Sequence, residues 1–129
     1  MFKDFWKWHK RKEKINEISE PPFFHEGEIW SCHLGNNVGT EQDGSGEDFL
    51  RPILILRKFN KDALTVIPLT RRGKDTEHYY SFETSDGKST AILSQLRLID
   101  ARRLSYFISS INKNDFKALK EKLKALLKL

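Results

Sequence analysis

The chain has 129 residues, a length that fits one domain able to bury roughly two-thirds of the surface its unfolded form exposes, and argues against a second full domain. Its formal charge of +5 favours an anionic partner, yet charged residues of both signs make up 32% of the chain, so composition alone gives nucleic acid only a modest preference. A single cysteine, Cys32, excludes an intrachain disulfide and any multi-cysteine metal centre, and fits a reducing compartment.

The N-terminus, MFKDFWKWHK, interrupts its aromatics with charges and lacks the apolar core of a secretion signal. The runs ILIL and the C-terminal leucines are short and flanked by basic residues, so no bilayer span and no membrane partner are expected, and the expected location is cytoplasmic. From Phe2 to about Ile18, the residues Phe5, Trp8, Ile15 and Ile18 fall near one side of a helix, with Lys10, Arg11, Lys12 and Lys14 over the rest. Pro21-Pro22 ends it. Residues 1–23 therefore read as a helical extension packed on the domain at 24–129 or on a neighbouring subunit; a basic arm touching RNA or membrane is the alternative.

Strands are expected over Glu28 to Leu34, Pro52 to Phe59, Ala63 to Leu69, His78 to Thr84 and Ser89 to Leu93. Ile53-Leu54-Ile55-Leu56 is continuously apolar, which predicts cover on both faces. Asn60-Lys61-Asp62 has hairpin length, and Asp86-Gly87 is the pair a type I′ turn prefers. Cys32 in the first strand reads as a buried thiol. Short strands with close turns point to a small barrel. At the end of the chain Asn112 can cap a helix, Asp115 can reciprocate and Ile111 can close over Phe116, while Phe116, Leu119, Leu123 and Leu126 share the face that packs on the barrel.

Between the first two strands lies a Gly-, Asn- and Asp-rich loop, Asn36 to Leu50, and Arg51-Pro52 stands where that loop returns to the buried strand. A guanidinium that cannot lose its proton and offers a fork of donors, set beneath a glycine-containing loop, points to a phosphodiester-facing site. The loop segment Gly39, Thr40, Glu41, Asp43, Gly44 and Gly46 reads as a gate over that site, its acids either holding Arg51 or meeting a basic partner.

Gly27-Glu28-Ile29-Trp30, the Gly39-Thr40-Glu41-Gln42 loop, Arg51-Pro52 before an aliphatic run, Pro68-Leu69-Thr70 and Ser94-Gln95-Leu96-Arg97-Leu98-Ile99-Asp100, in this order, resemble the PemK/MazF family of toxin endoribonucleases. The resemblance covers the chain from about Phe24 onward. It implies a mostly-β, SH3-like small barrel with helices, here an N-terminal extension and a C-terminal helix. It further implies the toxin of a type II toxin-antitoxin pair, a homodimer whose partners are single-stranded RNA and a cognate antitoxin, touching DNA only through the antitoxin complex. Arg51 and Thr70 match the arginine and threonine the family uses in catalysis, and the implied products are a 2′,3′-cyclic phosphate and a 5′-hydroxyl. The resemblance breaks at three places. Ser94 stands where the branches carry aspartate or glutamate, Ile92 where one branch carries arginine, and Thr40 where one branch carries a loop histidine. No mechanism leaning on those groups transfers.

The chemistry is consistent with this short list. Because the ribose 2′-hydroxyl is itself the nucleophile, the protein must help remove its proton, place positive charge on the phosphate and protonate the departing 5′-oxygen. Arg51 suits the second task, and the Thr70 hydroxyl can hold a phosphate oxygen or the 2′-hydroxyl. Arg71, Arg72 and Lys74 follow Thr70 as a basic loop for the RNA backbone, and Gln42 and Gln95 are further candidates to contact RNA. His33 and His78 are the histidines nearest the candidate strands. No HxH, HExxH or CxxC spacing calls for a metal, so neither metal nor other cofactor is expected. Two other readings of the same sequence are a non-catalytic module on this fold that inhibits a protein such as gyrase, and a general RNA-binding protein.

Overall fold

The computed structural model describes residues 2–129. Helix α1 (Phe5–Asn16) precedes seven strands, β1 (Glu28–His33), β2 (Leu50–Lys58), β3 (Ala63–Thr70), β4 (Tyr79–Thr84), β5 (Gly87–Ile92), β6 (Arg97–Asp100) and β7 (Leu104–Ser110), and helix α2 (Lys113–Leu127) closes the chain. The strands form one antiparallel sheet in the order β4-β5-β3-β2-β1-β7, with β6 also on β3. Strand β3 is the branch point. One edge pairs with β2 (Ile53↔Pro68, Leu54↔Ile67), while the other pairs first with β6 over Ala63 to Val66 and then with β5 at Leu69 and Thr70.

Alternation along the central strands sorts the core into two layers. Ile53 and Ile55 lie with Trp30, Cys32, Leu64, Val66 and Phe24, and Leu54 lies on the other face with Ile29, Ile67, Leu69 and Phe82. The continuous apolar run of β2 is thus covered on both faces, as its sequence predicts. The second layer is completed by α2, whose Leu119 and Leu123 are buried, with Phe116 and Leu126 at its margin.

The mostly-β architecture with a helix at each end matches the expectation, and five of the seven strands fall within two residues of the expected spans. Strands β6 and β7 are the additions. The first has only four residues, too few to show alternation, and the second is an edge strand whose pairing with β1 slips twice, so neither carries a clean period-two signal. The Asp86-Gly87 turn is not type I′. Thr84 pairs with Gly87 across Ser85-Asp86, and of these residues only Gly87 has positive φ, whereas type I′ needs it at both central positions. The Thr84 hydroxyl stabilises the turn instead, accepting from the Asp86 amide at 3.1 Å and donating to the Gly87 carbonyl at 3.2 Å.

Helix α1 packs through Trp8 and Ile15, while Phe5 and Ile18 are exposed, contrary to the expected four-residue stripe. Asp4 caps the helix and Glu17 ends it, so Ile18 lies beyond the last turn. At the other end of the chain, Asn112 caps α2 by accepting from the Asp115 amide at 2.8 Å. Asp115 reciprocates through the Asn112 side-chain amide, not its main chain, and also accepts from the Tyr80 hydroxyl at 2.6 Å, tying α2 to β4.

Leu119 is fully buried against the sheet, so Leu119→Ala should cost about 2–5 kcal/mol. Urea unfolding checks this. A loss under about 1 kcal/mol would show that α2 is not part of the cooperative core.

Candidate active site

Strand order brings Arg51 and Thr70 to one wall. Both line a cleft of about 240 Å³ together with Ile29, Pro52, Leu69, Arg71, Thr84, Asp86, Ser89, Ile108 and Ser109. β2 and β3 are neighbours in the sheet, and the ends that carry these two residues converge. Arg51 is half-buried, and two main-chain carbonyls fix its guanidinium: Nε donates to Asp43 at 2.6 Å and Nη1 to Leu69 at 3.1 Å. With its amide oxygen facing the arginine, Gln42 accepts from Nη2 at 2.8 Å. Burial pulls the Arg51 pKa down and the Asp43 charge pulls it back up; an arginine so placed keeps its proton at any working pH. The Thr70 oxygen accepts from the Arg72 amide at 3.1 Å, which leaves its own O–H free to donate.

The remaining candidates distribute unevenly. Arg71 lines the cleft and is held by Asp86, with Nη2 at 3.0 Å from the carboxylate and 3.2 Å from the Asp86 carbonyl. Arg72 and Lys74 are exposed outside the cleft lining. Gln42 and Gln95 meet each other. The Gln42 amide donates to Gln95 Oε1 at 3.2 Å, and Gln95 Nε2 donates to the Thr40 carbonyl at 3.0 Å. They line a second pocket of about 310 Å³ with Ser94 and Arg97, and Ser94 is outside the lining that Arg51 and Thr70 share. His33 is buried, its Nδ1 2.7 Å from the Asp48 carbonyl; His78 is exposed beside Glu77; neither lines the cleft.

The loop between β1 and β2 is internally bonded. Asp43 accepts from the Asn37 amide at 2.6 Å, Asn37 Nδ2 donates to the Leu34 and Gln42 carbonyls, and the Gly44 amide donates to the Gly35 carbonyl at 2.8 Å. Gly44 serves close packing: a Cβ there would stand 1.8 Å from the Phe49 carbonyl oxygen. The loop acids do not hold Arg51 through their carboxylates. It is the Asp43 carbonyl that does so, while its carboxylate pairs with Lys3 at 2.9 Å.

Four polar residues of the cleft are not marked by the sequence: Thr84, Asp86, Ser89 and Ser109, and the apolar Ile108 is a fifth lining residue of this kind. They come from the β4–β5 hairpin and the unforeseen β7, and small polar residues at such places look like any solvated turn. Asp86 is the carboxylate of the lining. Among the described residues no group of three or more His, Cys, Asp or Glu gathers as a metal would need, and no helix is long and apolar enough to cross a membrane.

Residues 25–127 match the family model described as the PemK-like, MazF-like toxin of type II toxin-antitoxin systems. No curated protein matches the chain significantly. Among solved structures, MazF (form I) from Deinococcus radiodurans is similar with a TM-score of 0.66 at 19% identity, over 84% of this chain and 98% of that one. The Mycobacterium tuberculosis toxin MazF-mt6 gives 0.61 at 18% identity, over 79% and 97%. An endoribonuclease in complex with its cognate antitoxin, from a mycobacterial species, gives 0.66 at 12% identity, over 83% and 97%. At these identities the likeness is one of fold.

Cys32 stands opposite Arg51 in the β1–β2 ladder but is fully buried, and burial pushes its thiol up to about 12. It is therefore no nucleophile. Because the folded thiol titrates above an unfolded one, its contribution to stability is intact below about pH 8.5 and is lost as pH rises toward the folded value. A thiol reagent at pH 8 should leave the native chain unlabelled and label it on unfolding; rapid native labelling would contradict this placement.

Proposed function

The chain belongs to the PemK-like, MazF-like toxins of type II toxin-antitoxin systems, and on that footing we propose that it is an endoribonuclease that cuts single-stranded RNA in the Arg51–Thr70 cleft. The observation that carries the proposal is the placement of a fixed guanidinium and a free hydroxyl on one wall. In the reaction the 2′-oxygen forms a bond to phosphorus as the bond from phosphorus to the 5′-oxygen breaks, giving a 2′,3′-cyclic phosphate and a 5′-hydroxyl. Beyond the N–H groups engaged by Asp43, Leu69 and Gln42, Arg51 keeps one on each terminal nitrogen, and these meet the phosphate oxygens as negative charge builds. Thr70 donates its hydroxyl to a further oxygen. The 2′-proton goes to a base, and the departing 5′-oxygen takes a proton from water in the open cleft. With no histidine in the lining, Asp86 is the protein carboxylate at hand for the first transfer.

The cleavage needs no metal, since nucleophile and leaving group both belong to the RNA and the charge is met by Arg51. Arg71 at the cleft, with Arg72 and Lys74 beyond it, supplies the basic approach for the backbone, and Gln42 and Gln95 add amide contacts at the rim. The loop segment from Gly39 to Gly46 admits the strand by parting from Gln95. A cognate antitoxin is the protein partner, consistent with the solved complex of a similar chain. A homodimer is proposed, the open edge of β7 with exposed Tyr106 and Phe107 being a surface suited to a second copy.

Incubating pure protein with a long unstructured RNA and EDTA should give discrete fragments ending in cyclic phosphate; intact RNA under these conditions, or cutting that returns only with added metal, would refute the proposal. Arg51→Ala should abolish cleavage without loss of the fold, and retained cutting by a clean preparation would remove Arg51 from the mechanism. Thr70→Ala should slow cleavage by roughly 10²–10³-fold. A change of only a few-fold would reduce that residue to a structural part.

A further inference from the structure

We propose that Lys3, in the extension outside the matched family region, is a positioning residue for Arg51, acting through Asp43; this rests on the reading that Arg51 acts on RNA. Lys3 Nζ pairs with Asp43 Oδ2 at 2.9 Å and donates to the Asn37 carbonyl at 2.7 Å. The side chains of the pair are only 13% and 25% exposed, so water screens them far less than an ordinary surface pair. The other Asp43 carboxylate oxygen accepts from the Asn37 amide at 2.6 Å, and the Asp43 carbonyl accepts from Arg51 Nε at 2.6 Å. One residue thus joins the extension to the guanidinium. Its carboxylate is gripped from the N-terminal side, and that grip sets where its carbonyl points.

The rest of the extension is built to deliver Lys3 there. Asp4, the cap of α1, accepts through its carbonyl from Asn36 Nδ2 at 2.8 Å. Trp8 lies so close to Gly35 that a Cβ at that glycine would stand 2.0 Å from its ring, and it packs against Phe49 at the other end of the loop with ring centroids 5.3 Å apart and planes tilted by 55°. Arg11 reaches Asp48 at 3.3 Å. The extension therefore touches the loop at its start, its middle and its end. The centre of the loop already holds itself through Asn37, Gln42 and Gly44, and Lys3 adds the one charged tie from the extension to that centre, at the Asp43 carboxylate.

The test compares the full chain with Lys3→Met, Lys3→Arg, Asp43→Asn and the double variant Lys3→Met with Asp43→Asn. In single-turnover cleavage of a long RNA, Lys3→Met should lower the rate at saturating RNA roughly ten- to a hundredfold while the half-saturating RNA concentration moves less than about twofold. Lys3→Arg should recover most of the rate, and the double variant should be no slower than the worse single one. Hydrogen exchange at the Gly44 amide, which needs no activity, should quicken in Lys3→Met. A wild-type rate in Lys3→Met, an effect confined to RNA affinity, or unchanged Gly44 exchange would each overturn the proposal. Uncut RNA with the unaltered chain would instead overturn the nuclease reading, and the exchange measurement would still decide whether Lys3 holds the loop.

Discussion

The site depends on one arrangement: a single guanidinium pinned by two carbonyls that belong to different parts of the chain. Asp43 comes from the loop before β2 and Leu69 from the end of β3, and Arg51 bridges them. A half-buried cation must find acceptors, and carbonyls satisfy it without neutralising it. The plane of the fork is therefore fixed while the charge remains available. For the Leu69 carbonyl to be in place, β3 must pair with β2 on one edge and with β5 on the other. For the Asp43 carbonyl to be in place, the loop must fold back on Gly35 and bond Asn37 to the Asp43 carboxylate. Thr70, next after Leu69, is carried into the same cleft by the first of these requirements.

The split between what the sequence discloses and what it hides follows the range of the interaction. The β2 run Ile53-Leu54-Ile55 announces a strand covered on both sides, and the Asn112 cap announces α2, because both signals are local. Arg51 at a strand mouth is legible for the same reason. The pairings Lys3 with Asp43, Gln42 with Gln95, and Asp115 with Tyr80 join residues far apart in the chain, and no periodicity reports them. β7 was hidden by its bulges and edge position. In the sequence Asp86 shows only as half of a turn, and its place in the cleft depends on the β4–β5 hairpin pairing with the end of β3.

The departures from the family pattern acquire a spatial meaning. Ser94, where the resemblance implies an acid, opens onto the pocket with Gln42, Gln95 and Arg97. Gln42 lines that pocket and also accepts from Arg51, so the two sites share one wall. The extension, by contrast, adds contacts to the loop that positions Arg51.

The most direct measurement is single-turnover RNA cleavage by Arg51→Lys in the presence of EDTA, alongside its thermal unfolding. A lysine keeps the positive charge but brings one compact ammonium in place of a planar fork, so it cannot bridge both carbonyls and still face the phosphate. The account predicts a folded protein that retains RNA binding and cuts at least about a hundredfold more slowly than the unaltered chain. Cleavage by Arg51→Lys at the unaltered rate would contradict it, because charge alone, without the fixed fork, would then be sufficient.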